Sequence, residues 1–460
     1  SKVLVDKISR PFKHQKNKIF IKAQDIKPRT VVTVRVVYKG KPPEAEKPPW
    51  SGGFTWEKSV DGYPWVGVSC QGNGSYIWYP SKEHPSDEPD GADVYITVQK
   101  PLSVASNGLL QEIQDHKNKW HTWHWKTKYN INPYNINFTI GHFDVVERIS
   151  PVLGKPLKVQ YFVLKENKKG AEELLGQVEN FLEFLSRNFG QYPWINEKFG
   201  LVNTPYLGME HQTIIAYGNK YKETKMGYDA LLFHEIGHEW WGNFLSVSDW
   251  SDFWIHEGFT TYSEALYIEK NFGVNAYHAF IQNTCKKNIK NQTPLVPKRP
   301  AKTDLVKGTE FYYKGAFVLH MLRYLVGYDN LIKTLKEYLY TPKPNNNQTS
   351  TKEFIEYLED NSKMELNWFF NQYVYSEKIP TLYSRSKSYK KGQKQFVEIW
   401  WAEPRFPLPV EVRYKGTYAK ENLQINIGEK PTGVSIPSES ILEIDPKKWL
   451  LFNNVNADKN

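Results

Sequence analysis

Cysteine is nearly missing from this chain: Cys70 and Cys285 are the only two in 460 residues. Two thiols cannot build a disulfide framework, and neither stands in a CxxC pair of the kind that holds structural zinc. They read as two buried free thiols. Arginine is almost as scarce, with ten against fifty lysines, in a chain whose net charge is +10. Nucleic-acid surfaces cluster their basic residues and use arginine forks on phosphate and guanine. Here the lysines are scattered among acids, so the charge reads as a lysine-coated surface and no nucleic-acid partner is expected. No run approaches the roughly 18 apolar residues of a membrane span, and none is expected. The opening SKVLVDKISRP has no charged-then-apolar leader, which reads as a signal peptide absent or already removed. The compartment stays unread. Sequons at Asn73, Asn137, Asn291 and Asn347 are short enough to arise by chance.

What the chain has in quantity is aromatic surface, with 16 Trp and 29 Tyr. Together with 40% hydrophobic residues this excludes disorder and predicts a packed protein. Its length is that of two to four domains. Residues 1–144 read as a β domain, with VVTVRVVYKG, SYIWYP, ADVYITVQKP and YNINFTIGHF as strands between Gly, Pro and Asn punctuation. From 145 to 378 helices dominate. GAEELLGQVENFLEFLSRNFG is amphipathic, and strand-like FGLVNTP follows it. MGYDALLFHEIGHEWWG, SDFWIHEGFTTYSEALYIEKNFG, a segment from 275 to 290, GTEFYYKGAFVLHMLRYLVG, and TKEFIEYLED with LNWFFNQYV complete the helical set. Over 379–460 short strands return in QFVEIWWAEP, LPVEVRYKG and ILEIDP, the size of a small β-sandwich. The predicted fold is multidomain α+β: an N-terminal β domain, a mostly helical middle domain and a small C-terminal β-sandwich.

His234 and His238 lie four apart in HEIGH and project from one helix face. Two imidazoles so placed bind zinc, with the intervening Glu235 beside the water that attacks. Glu257, with 18 residues between it and His238, supplies a third ligand on a second helix, which Ser251 or Asp252 could cap. Three nitrogen and oxygen ligands with an open fourth position are the signature of one catalytic zinc. A chance HExxH is expected on the order of a few percent by composition, and the distant glutamate lowers that further. Glu264, two turns past Glu257, suits a role in fixing a ligand histidine's tautomer. It suits equally well a solvated helix surface.

These residues resemble the aminopeptidase N family of gluzincin metallopeptidases, which includes leukotriene A hydrolase. HEIGHEWWGN, WIHEGFTTYSE and YYKGAFVLHML follow one another at the family's spacing. Upstream, LGMEHQT looks like the family's Gly-x-Met-Glu-Asn exopeptidase motif, and SCQGNGSYIWYP leading to DEP looks like the β-domain segment that reaches the active site. The resemblance spans roughly residues 65–374 and implies a thermolysin-like catalytic domain. It implies that Glu210 binds a substrate's free α-amine, helped by Gln71, with Gly208, Met209 and His211 lining the site. It also implies that Tyr312 steadies the transition state; Tyr313 is the rival, one residue too close to Lys314–Gly315. His211 stands in place of the usual Asn, Leu207 in place of the leading Gly, and Gln71 in place of a common Glu. A histidine there adds a titration near neutrality. The resemblance implies strands before a KVLVDKI-like segment, so the N-terminal β domain reads as one without its opening strands. The implied function is zinc-dependent removal of N-terminal residues from peptides. Alternatives are a thermolysin-type zinc endopeptidase, which LGMEHQT argues against, and a non-catalytic peptide-binding relative, which the filled catalytic positions argue against. Lipid epoxide hydrolysis has no support in the residues.

Overall fold

The computed structural model describes residues 1–458 apart from 71–73, 83, 291–292, 298–307, 389–393, 403–406, 416–419, 428–429 and 438–439. Alternation builds the N-terminal sheets. In Ala92–Gln99 the side chains of Val94 and Val98 are buried while Tyr95 between them is exposed, which is the period-2 pattern of a sheet with one wet face. This strand pairs with Trp120–Thr127, and that in turn with Leu109–Asp115. A four-stranded sheet follows the order Gly53–Lys58, Pro64–Ser69, Phe138–Gly141, Ser103–Ser106. The expected strand at SYIWYP is a 3-10 turn instead, Ser75–Ile77. Gly74 enters it at φ 85, a left-handed conformation that breaks a strand. The turn's aromatic residues pack sideways, with Trp78 edge-on to Phe138.

Phe143–Val152 runs across the 144/145 position and opens a five-stranded mixed sheet. Lys155–Leu164, Phe199–Asn203, Ile215–Tyr217 and Gly208–Met209 follow in spatial order, the last as an antiparallel edge. Helix α1, Ala171–Phe189, lays its Leu174, Leu175, Val178, Leu182 and Leu185 stripe on the core. Helix α2 is Ala230–Gly237, shorter than the sequence pattern suggested. It ends because the chain turns through Trp241–Gly242, with Gly242 at φ +134 and its amide bonded to the Leu245 carbonyl. Helix α3, Trp254–Phe272, is buried at every position from Trp254 to Ile268, as a helix inside a core must be. Neither expected cap serves it. Asp249 accepts the Ser251 amide in the 3-10 turn before α3, and Asp252 instead accepts the Thr351 amide.

Helix α4, Val274–Phe280, passes into a π turn at Ile281–Lys286, so the 275–290 segment is not one regular helix. Helix α5, Glu310–Val326, crosses α3 at a glycine pair: a Cβ on Gly315 would meet the Gly258 Cα at 2.8 Å. After Asn367–Tyr373 the chain forms two further sheets. Their inward residues Leu382, Val397, Ile399, Val410 and Val412 join the main apolar core. Trp449 pins this region to the helices by stacking on His320 at 4.6 Å. Cys70 and Cys285 are both buried.

Candidate functional site

Helices α2 and α3 bring His234, His238 and Glu257 together. His234 Nε2 lies 3.2 Å and His238 Nε2 3.4 Å from the same Glu257 oxygen, and the two Nε2 atoms are 3.0 Å apart. The His238 tautomer has a visible cause. Its Nδ1 donates to the Trp241 carbonyl at 2.9 Å, made possible by the turn at Gly242, which leaves the Nε2 lone pair facing the other donors. Three lone-pair donors, two of them buried and His234 partly so, do not converge at this range without something positive between them. The charge balance agrees. Burial works to lower the His238 pKa, but Glu257, Glu210 and Glu235 outweigh it and raise it to about 10. Burial likewise pushes Glu257 up, yet the two histidines override it and hold its carboxyl far below the usual range. A proton is thus held where a cation belongs, and the donor set fits a tetrahedral divalent ion with one open position.

Glu235 lies between the two histidines in sequence and shares a cluster with His238. Burial first, and then Glu210, raises its carboxyl well above the ordinary range. Gly208 gives it room, since a Cβ there would come within 2.9 Å of Glu235 Oε1. Glu210, Glu235 and His238 form a second group whose donor atoms all lie within 4.8 Å of one another. Glu210 is buried, accepts the Tyr134 hydroxyl at 2.9 Å, and is raised by desolvation. Met209, buried, precedes it at the end of the short strand Gly208–Met209. Tyr312 projects from the first turn of α5, its ring stacked 5.6 Å from His234 and its hydroxyl bonded toward Glu257. Burial raises its pKa well above the usual phenol, so it stays a hydrogen-bond donor. Tyr313 instead faces the Cys285 and Glu264 side.

Two expectations fail here. Glu264 touches no ligand histidine among its recorded bonds; it accepts the Tyr228 hydroxyl at 2.7 Å, and burial raises it to about 7. Two helical turns along α3 carry it past the centre, and a backbone carbonyl does the work assigned to it. His211 does not titrate near neutrality. Complete burial drives it down to about 3, and its Nε2 is buried without a partner. Gln71 lies outside the described residues. The sequence reading missed Tyr134, Asn135, Glu239 and Asn243. Glu239 and Asn243 sit inside the quoted HEIGHEWWGN, in the turns that follow α2, and their one signal was polarity amid an aromatic run.

Residues 175–373 match the Peptidase family M1 domain. Human glutamyl aminopeptidase is 24% identical over 407 residues, covering 81% of this chain and 40% of that protein. Human endoplasmic reticulum aminopeptidase 2 is 23% identical over 47% of this chain and 24% of its own length. The chain therefore spans well under half of these curated relatives. Among solved structures, an M1 zinc metallopeptidase from Deinococcus radiodurans aligns with a TM-score of 0.69 at 19% identity, over 82% of this chain and 84% of that one. Legionella pneumophila aminopeptidase A, in complex with aspartic acid, aligns with a TM-score of 0.80 at 15% identity, over 99% of this chain and 54% of that one. Among the described residues, no helix is long and apolar enough to cross a membrane.

Proposed function

We propose that this chain, which belongs to the M1 family of gluzincin metallopeptidases through residues 175–373, is a zinc-dependent aminopeptidase. His234, His238 and Glu257 hold one zinc ion. When bound, zinc supplies Lewis acidity to a carbonyl oxygen and lowers the pKa of water to about 7.

The other residues orient the substrate and move its protons. Glu235, whose carboxyl burial and Glu210 raise, takes the proton of the attacking water and passes it to the leaving amine. Tyr312 keeps its phenol proton and donates it in a hydrogen bond to the oxyanion. Glu210 receives the α-ammonium, with Gly208, Met209 and neutral His211 forming the surrounding wall and Gln71 assigned from its motif. Substrates are peptides with a free N-terminus.

One observation carries the exopeptidase reading. Glu210 shares a 4.8 Å cluster with Glu235 and His238, and Tyr134 and Asn243 close its other side. An ammonium on Glu210 places the first peptide carbonyl beside the base. This separates the reading from a thermolysin-type endopeptidase. The test compares matched free-amine and N-acetylated substrates. Losing a charge-assisted hydrogen bond at a desolvated site costs roughly 1.5–3 kcal/mol. Glu210→Ala should therefore lose about ten- to a hundredfold in kcat/KM on free amines while its zinc content holds. Equal turnover of acetylated substrates by the wild type would defeat the reading.

A further inference from the structure

Among the buried carboxylates that the metal chemistry leaves without a task, one stands beside the ligands. Glu239, fully buried, follows His238 directly in sequence. Its Oε1 accepts the Thr213 backbone N–H at 2.9 Å. Its Oε2 accepts the Trp194 indole N–H and, at 3.4 Å, the Asn243 side-chain amide. Asn243 also donates to the Glu210 backbone carbonyl at 2.8 Å, and its Oδ1 accepts Asn135 Nδ2 at 2.6 Å. Both ends of the Glu210–Thr213 segment are thus tied to one carboxylate–amide pair.

The segment needs tying. Thr213 sits at φ 60, a left-handed conformation that a β-branched residue holds only when its surroundings enforce it. Glu239 takes its amide, and its hydroxyl accepts the Gly108 N–H at 2.8 Å from the N-terminal sheets. A charged acceptor inside the core makes stronger and shorter bonds than a neutral one. A buried carboxylate with three donors aimed at it fixes geometry in a way an amide cannot, because an amide has one acceptor oxygen for the three.

We propose that Glu239 and Asn243 are positioning residues for exopeptidase selectivity. They hold the Glu210 carboxylate at the distance from the metal centre that an α-ammonium requires. This rests on Glu210 being the amine-binding group. In Glu239→Gln, at least one of Thr213, Trp194 and Asn243 is left facing an NH2. In Asn243→Ala, the Glu210 carbonyl loses its donor.

The test measures steady-state kinetics on matched free-amine and N-acetylated substrates, with zinc content for each variant. Wild type and Glu210→Ala are measured first, to establish the selectivity that the variants should erode. Both single variants should keep their zinc. Each should raise KM for free amines about tenfold or more, with a smaller fall in kcat. Combining Glu239→Gln with Glu210→Ala should add less than about twofold, because one acts through the other. Asn243→Ala carries the same test if Glu239→Gln does not fold. The proposal is overturned if losses multiply in the double variant, or if both singles keep wild-type selectivity while Glu210→Ala loses it. If the wild type shows no preference for free amines, the amine reading falls first and takes this proposal with it.

Discussion

The two halves of the site are built in opposite ways. The ligand set comes from neighbouring helices, with His234 and Glu257 only 23 residues apart. The amine half is assembled from distant pieces: Tyr134 reaches Glu210 across 76 positions and Asn135 reaches Asn243 across 108. Rigid helices fix ligands through their own backbone bonds, so little else must be specified. A carboxylate just past a two-residue edge strand has no such frame and is held by side chains from several parts of the chain. Metal binding is therefore expected to survive changes that spoil selectivity.

The sharpest separation is Glu235→Gln, which keeps the shape of the metal half and removes its base. Turnover should fall by about 10² to 10⁴ with zinc retained, as metal analysis and kcat together would record. A loss within tenfold would take the proton-transfer role away from Glu235. Tyr312→Phe comes next. Removing one donor to an oxyanion costs about 10² to 10³ in kcat, with little change in KM, while Tyr313→Phe stays near wild type. The reverse pattern would exchange their roles. Gly315→Ala probes the frame itself. The new Cβ meets the Gly258 Cα at 2.8 Å, so α3 and α5 must part. Overpacking of this kind costs about 1–3 kcal/mol, measurable as a lower urea midpoint, and an unchanged midpoint would mean the crossing has slack.

The smallest effect belongs to the amine half. Because burial holds His211 down at about 3, it is neutral at every working pH, and His211→Asn should leave the acid limb of the activity profile in place. The same shift has a stability consequence. The unfolded chain binds a proton at the ordinary pKa of 6.5 and the folded one does not until about 3. Stability from this residue is therefore complete above 6.5 and lost as pH falls through that window. Asn should flatten the decline by up to about 1.4 kcal/mol per pH unit. A moved acid limb would show a protonatable His211.

The same contrast explains what could be read in advance. His234, His238 and Glu257 were legible because helical periodicity converts spacing into geometry. The strands of the N-terminal sheets were legible from alternation, as at Val94 and Val98. SYIWYP was not, because its β-forming residues follow a left-handed Gly74 that composition does not reveal. The expected cap of α3 did not form because Asp252 was taken by Thr351, 99 residues away, while Asp249 capped the 3-10 turn before the helix. Glu264 has the right helical phase and the wrong partner, Tyr228. Glu239 and Asn243 were invisible for the same reason: their partners are long-range, and only the fold supplies them.

The account stands most directly on where the first cut falls. One peptide is offered with a free and with an acetylated N-terminus, and products are mapped by mass spectrometry over time. The free peptide should shorten one residue at a time from its N-terminus, and the acetylated one should stay intact. Internal cleavage of the acetylated peptide at a comparable rate would contradict the amine clamp and leave the metal chemistry without its selectivity.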